Sequence, residues 1–169
     1  YSVSGTATAE SDYTSLSGEV VIAAGQTSQT LEVAVKDDDI AENSETVVVT
    51  LTGVSGLVEL DGTPANRTAT LNIADDEADP TISINDVSVT EGDSGTKEAE
   101  FTVTLSHKSE KGITVQYRTS NGTAISPGDY QSTSGTLSFG STEVTKSITV
   151  NVLGDELVEV DKSYSVVLE

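Results

Sequence analysis

The 169-residue sequence contains no cysteine, methionine or tryptophan, and its only histidine is His107. Without thiols or paired imidazoles it cannot build a zinc site, an iron–sulfur cluster, a haem ligand set or a thiol nucleophile. No disulfide can staple the fold, so stability must come from packing or from bound ions. Aromatic residues make up 4% of the chain, too few to line the sugar cleft that paired carboxylates would need for glycoside hydrolysis. Positive charge is equally scarce: 8 Lys and Arg stand against 28 Asp and Glu, a net charge of −20. Such a surface repels phosphate backbones and anionic headgroups, which argues against nucleic acid and membrane surfaces as partners and in favour of cations. The metal donors present in number are oxygens, which suit hard ions such as calcium. There is neither a basic leader pattern nor an apolar run of membrane-spanning length, so no direct membrane insertion is expected. His107 lies in Ser106-His107-Lys108-Ser109 beside no plausible nucleophile; it reads as an exposed loop residue, and no enzyme is expected.

Alternating Val, Ile, Thr and Leu dominate what is present. Strand-like runs cover Glu19–Ile22, Thr30–Val35, Thr46–Thr52, Thr68–Ile73, Thr81–Ile84, Glu100–Leu105, Ile113–Thr119, Thr136–Phe139, Ser147–Val152 and Ser163–Leu168. Gly, Asp, Asn and Ser bound them, and none shows helical periodicity with caps. Short strands at this spacing predict an all-β protein, an antiparallel immunoglobulin-like β-sandwich.

Sliding the chain against itself by 117 residues exposes an internal repeat. Tyr1 meets Tyr117 and, after a one-residue adjustment at Asn121, Gly5-Thr6-Ala7 meets Gly122-Thr123-Ala124. Asp12-Tyr13 then meets Asp129-Tyr130, Ser17-Gly18 meets Ser134-Gly135, Asp38 meets Asp155, Glu42 meets Glu159 and Leu51 meets Leu168. The chain thus holds about one and a half copies of a sandwich unit. They divide into 1–79 and 80–169 at Ala78-Asp79-Pro80, where the proline favours an extended connection. Tyr13 and Tyr130 occupy matching places and read as buried packing residues.

Three acidic clusters of the first unit lie at ends of predicted strands. They are Asp12; Asp37-Asp38-Asp39 followed by Glu42 and Glu45; and Asp75-Asp76-Glu77. Loops at one end of a sandwich converge, so carboxylates that follow different strands can meet there. Calcium takes about 6–8 oxygen ligands, which such a gathering can supply.

The blocks Gly5-Thr6-Ala7, Ser11-Asp12-Tyr13, Ser17-Gly18, Gly25-Gln26-Thr27, Val35-Lys36-Asp37-Asp38-Asp39 and Ile73-Ala74-Asp75-Asp76 together resemble the Calx-β motif. That family comprises calcium-binding β-sandwich modules of sodium/calcium exchangers, also found in integrin β4 and in large extracellular repeat proteins. The resemblance implies calcium ligation by Asp12, Asp37, Asp38, Glu42, Glu45, Asp75 and Asp76, with Glu77 and Asp39 beside them. It also implies a Glu near the start of the module, which the second unit supplies as Glu91. There Asp129, Asp155, Glu156 and Glu159 complete the candidate set. Gly154 replaces Asp37 and Lys162 replaces Glu45, so the second unit is expected to bind more weakly.

The resemblance implies a calcium-binding repeat module, with neighbouring repeat domains as partners and ions near the junction that stiffen the array. Its setting would be a larger cell-surface or secreted protein of bacterial type, or else a cytoplasmic regulatory loop of a membrane exchanger. A passive adhesion spacer shares the composition. Relative to a full unit, the first copy lacks its opening strands and the second its last one. Such open edges predict pairing of Thr81–Ile84 and Glu100–Leu105 with a neighbour, or a homodimer formed by strand exchange.

Overall fold

The computed structural model describes residues 1–56 and 58–169. Among the described residues there are nine strands and one short 3-10 helix: β1 (Ser2–Gly5), β2 (Glu45–Thr50), the helix Pro64–Arg67, β3 (Thr68–Ile73), β4 (Ile82–Ile84), β5 (Thr96–Leu105), β6 (Ile113–Asn121), β7 (Ser134–Phe139), β8 (Thr145–Leu153) and β9 (Tyr164–Leu168). The chain forms two compact units, Tyr1–Glu77 and Ala78–Glu169. Ala78 and Asp79 therefore belong with the second unit. Within it, His107 Nε2 donates to the Ala78 carbonyl (2.8 Å) and Lys111 Nζ pairs with Asp79 (2.8 Å). His107 is thus a half-buried fastening of the entering chain rather than a free loop residue.

The second unit is a two-layer antiparallel sandwich. One sheet runs β4-β5-β8 and the other β7-β6-β9. Period-two alternation turns one face of each strand inward: Val103 and Leu105 on β5, Ile148 and Val150 on β8, Val115 on β6 and Phe139 on β7. These bury together with Ala124 and Tyr130 from the β6–β7 loop. Each fully buried Val or Ile contributes about 1.5–3 kcal/mol relative to exposure. Tyr130 stacks on Tyr164 with centroids 4.2 Å apart, and its hydroxyl donates to the Asn121 side chain at 2.6 Å. Inside this unit β4 pairs with β5, and β5 with β8.

The first unit contains the antiparallel sheet β1-β2-β3. Two expected strands, Glu19–Ile22 and Thr30–Val35, are irregular apart from a single bridge between Tyr13 and Val35. The repeat gives the reason. Their counterparts in the second unit, β7 and β8, pair with the first half of β6 and with β5, whereas among the described residues neither run of the first unit has a ladder beside it. A run with strand propensity but no neighbour to bond stays open. Consequently Val21, Ile22 and Val35 are 67%, 55% and 50% exposed.

At the corner around Gly5 and Gly122 the hydrogen bonds of the two units match. Ala7 N donates to Thr46 O (3.1 Å) as Ala124 N does to Ser163 O (2.9 Å). Thr46 N donates to Thr6 Oγ1 (2.9 Å) as Ser163 N does to Thr123 Oγ1 (2.8 Å). Gly5 and Gly122 are required because a Cβ there would lie 2.1 Å from Thr46 O and 2.5 Å from Ser163 O, respectively. Gly122→Ala is therefore expected to cost about 1–3 kcal/mol of unfolding free energy. Gly112→Ala, where a Cβ meets nothing within 4 Å, should be near neutral; urea denaturation of both variants checks this.

Candidate metal centre

The frame that positions the first acidic residue is a tight loop. Asp12 N donates to Thr8 O (2.9 Å), Lys36 N donates to Asp12 O (2.8 Å) and Thr14 N donates to Ala34 O (2.9 Å). With the Tyr13 ring buried beside it, Asp12 is drawn inward to 8% exposure, and its Oδ2 accepts the Thr8 N–H. The neighbouring carboxylates arrive by register. Glu45 opens β2 and faces Ile73, the last residue of β3, so Asp75 and Asp76 emerge next to it. The third contribution follows the Tyr13–Val35 bridge, where Asp37 and Asp38 leave the frame.

Two trios result. Asp12, Glu42 and Glu45 bring carboxylate oxygens within 4.8 Å of one another, and Asp37, Asp76 and Glu77 do the same. Both line one cleft, together with Asp38 and Asp75. The Asp38 carboxylate also caps its own loop by accepting Ile40 N–H (2.8 Å). Asp39 is exposed and does not line the cleft. Two carboxyl groups of the cleft, Asp12 and Glu77, titrate away from the ordinary range in opposite directions. Burial pushes Asp12 up, but the Thr8 N–H, the Glu45 and Ser11 side chains and the Lys36 charge hold it below the usual carboxylate range. Desolvation and the nearby Asp75 and Asp76 push Glu77 above that range. An all-oxygen, anionic donor set of this density fits a hard divalent cation and offers nothing to a soft one.

The second unit builds the same frame and fills it differently. Asp129 Oδ2 accepts Ile125 N–H (2.6 Å), Asp129 N donates to Ile125 O (2.9 Å), and Leu153 N donates to Asp129 O (2.9 Å). The position of Glu45, however, is Lys162, whose ammonium sits 2.7 Å from Asp129 Oδ1 and 2.5 Å from Glu159 Oε2. Asp129 is held below its ordinary value mainly by that ammonium, and Lys162 is pushed well above the usual lysine range by Asp129 and Glu159. The position of Asp37 is Gly154, where a Cβ would lie 2.5 Å from Gly92 O and 3.1 Å from Glu91 O. No side chain fits there. Asp155 caps Leu157 N–H (2.6 Å) as Asp38 caps Ile40, and Glu156 is exposed. Among the described residues, no trio of acidic side chains gathers in this unit, so Glu91, Asp155 and Glu156 are not brought together with Asp129 and Glu159.

Sequence reasoning overlooked a pair beside the first cleft. Lys36 Nζ donates to the main-chain carbonyl of Glu10 and forms an ion pair with its carboxylate at 3.2 Å. Glu10 also accepts Ser15 N–H (3.0 Å). The Ser15 bonds and Lys36 together lower its carboxyl to about 2. The only signal was a lysine placed directly before an aspartate run.

Fold and site thus define a class: tandem β-sandwich modules with acidic side chains at loop ends, gathered into one cleft in the first unit and paired with a lysine in the second. The sequence profile described as the Calx-beta domain matches residues 1–77 and 75–169, and the chain belongs to that family. It is 32% identical to the sodium/calcium exchanger 1 of Canis lupus familiaris over 177 residues, 95% of this chain and 18% of the exchanger. Identity to the sodium/calcium exchanger 2 of Rattus norvegicus is 33% over 92% of this chain, again 18% of the exchanger. The crystal structure of CBD12 from CALX1.2 is 28% identical, with a TM-score of 0.46, covering 98% of this chain and 63% of that one. The chain therefore spans less than a fifth of the exchangers it matches.

The Lys162 arrangement predicts a pH signature. Because Asp129 titrates low when folded, its contribution to stability is present above the unfolded value of about 3.9 and disappears as pH falls through the lower folded value. Lys162→Met should lower the urea midpoint at pH 7 and reduce the further loss between pH 5 and pH 3. An unchanged acid limb in the variant would show that the pair carries no linkage.

Proposed function

We propose that the first unit is a calcium-binding module, with Asp12, Asp37, Asp38, Glu42, Glu45, Asp75, Asp76 and Glu77 as the ligand field. The observation that carries this reading is the convergence of two carboxylate trios from three loops in one cleft. Calcium would supply the positive charge and flexible oxygen coordination that let these carboxylates stay ionised and close together. The chain's own residues do the positioning: Thr8 and Lys36 hold Asp12 through backbone bonds, and the β2–β3 register delivers Glu45 beside Asp75. Asp39 stands outside the set. In the second unit Lys162 neutralises Asp129 and Glu159 and weakens any site that Glu91, Asp155 and Glu156 could extend. Asp75-Asp76-Glu77 runs directly into Ala78, so a cation that orders those carboxylates also orders the chain entering the second unit. The role is binding and conformational rather than catalytic.

For the setting, we favour a regulatory calcium-sensing region of an exchanger-like membrane protein over an adhesion array. The match to exchangers across both units supports this choice.

Calorimetry of the metal-stripped protein is expected to show calcium binding, with a rise in melting temperature. At a hundredfold excess over Kd the gain is about 2.7 kcal/mol. Asp37→Asn combined with Asp76→Asn should weaken binding at least tenfold. Neither heat nor a melting shift at millimolar calcium would refute the proposal.

A further inference from the structure

The two homologous frames each have one ammonium beside the acidic residues, and they use it in opposite ways. In the second unit Lys162 reaches into the frame and contacts Asp129 and Glu159. In the first, Lys36 lines the cleft next to Asp12 and Asp37, yet its Nζ is engaged outside by the carbonyl and carboxylate of Glu10. Glu10 is unusually placed to do this. Its φ of 72° lies in the left-handed region, uncommon for a residue with a Cβ. Its carboxylate is steadied through Oε1 by Ser15 N–H while Oε2 takes the ammonium. The second unit has neither member of this pair, because Pro127 stands at the place of Glu10 and Leu153 at that of Lys36.

From this contrast we infer that Glu10 latches the Lys36 ammonium away from the cleft, and so sets how tightly the first unit binds a divalent cation. This rests on the calcium reading of the cleft. A freed lysine four carbons long, anchored by its backbone N–H on Asp12 O (2.8 Å), can swing onto the Asp12 carboxylate. It would then compete with the incoming cation as Lys162 does permanently. Glu10 is a positioning residue here and touches no ligand itself.

Calcium calorimetry on a double-mutant cycle tests the latch, with metal-free melting temperature as a second readout. Glu10→Gln keeps an acceptor for Ser15 and the main-chain carbonyl for Lys36 and removes only the charge; it should weaken calcium binding roughly fivefold at low salt. Lys36→Gln should tighten binding roughly twofold. In the Lys36→Gln background, Glu10→Gln should change affinity less than about twofold, since no ammonium remains to release. Both residues are substantially exposed, so the metal-free melting temperatures should stay close to that of the parent. An equal loss of affinity from Glu10→Gln with or without Lys36 would make Glu10 a plain long-range charge and overturn the latch. Unchanged affinity in Glu10→Gln, beside normal binding by the parent, overturns the latch alone. A parent that binds no calcium overturns the reading of the site and the latch together.

Discussion

Carboxylates packed within 4.8 Å of one another demand a positive charge, and the rest of this molecule is arranged around where that charge comes from. In water such groups would separate. Here the backbone forbids it, since Asp12 is fixed by the Thr8–Asp12 loop and Glu45 by its pairing with Ile73. The two units are two solutions to that one constraint. The second carries its own cation, the Lys162 ammonium. In the first, Glu45 stands at the place of Lys162, and the one ammonium at the cleft, that of Lys36, is engaged by Glu10.

This division explains why nearly identical hydrogen-bond frames hold different side chains. Replacing Glu45 by Lys162 exchanges a ligand for a counter-ion at the same backbone position. The exchange at Asp37 goes further, because Gly92 and Glu91 carbonyls crowd Gly154 and leave no room for a side chain. Two independent positions thus close the second frame, and reversing either one alone leaves the other in place. Glu10 and Lys36 belong to the same logic: an ammonium near the open frame has to be kept occupied elsewhere if the frame is to stay open.

Much of this was legible in the sequence, because it depends on spacing. The 117-residue offset located both frames, and period-two alternation located the sandwich strands of the second unit. Asp and Glu runs at strand ends located the trios. The rest depended on partners at a distance. Glu19–Ile22 and Thr30–Val35 have strand composition but no neighbouring ladder, so propensity misjudged them. Ser2–Gly5 becomes β1 because Thr50 to Val47 lie opposite it, a pairing no local pattern announces. Asp39 looked equivalent to Asp37 and Asp38, but the turn capped by Asp38 leaves it outside. His107 and the Glu10–Lys36 pair act across 29 and 26 residues of chain, beyond the range of any motif.

If one frame takes its positive charge from solution and the other from its own lysine, the two respond differently to added calcium. A residue-resolved calcium titration followed by amide NMR tests it most directly. The amides of Thr8, Lys36 to Glu45 and Asp75 to Glu77 are expected to shift and saturate together, while those of Ile125 and Gly154 to Ser163 stay still at the same calcium concentrations. Parallel shifts in both frames, or none in the first, would contradict it.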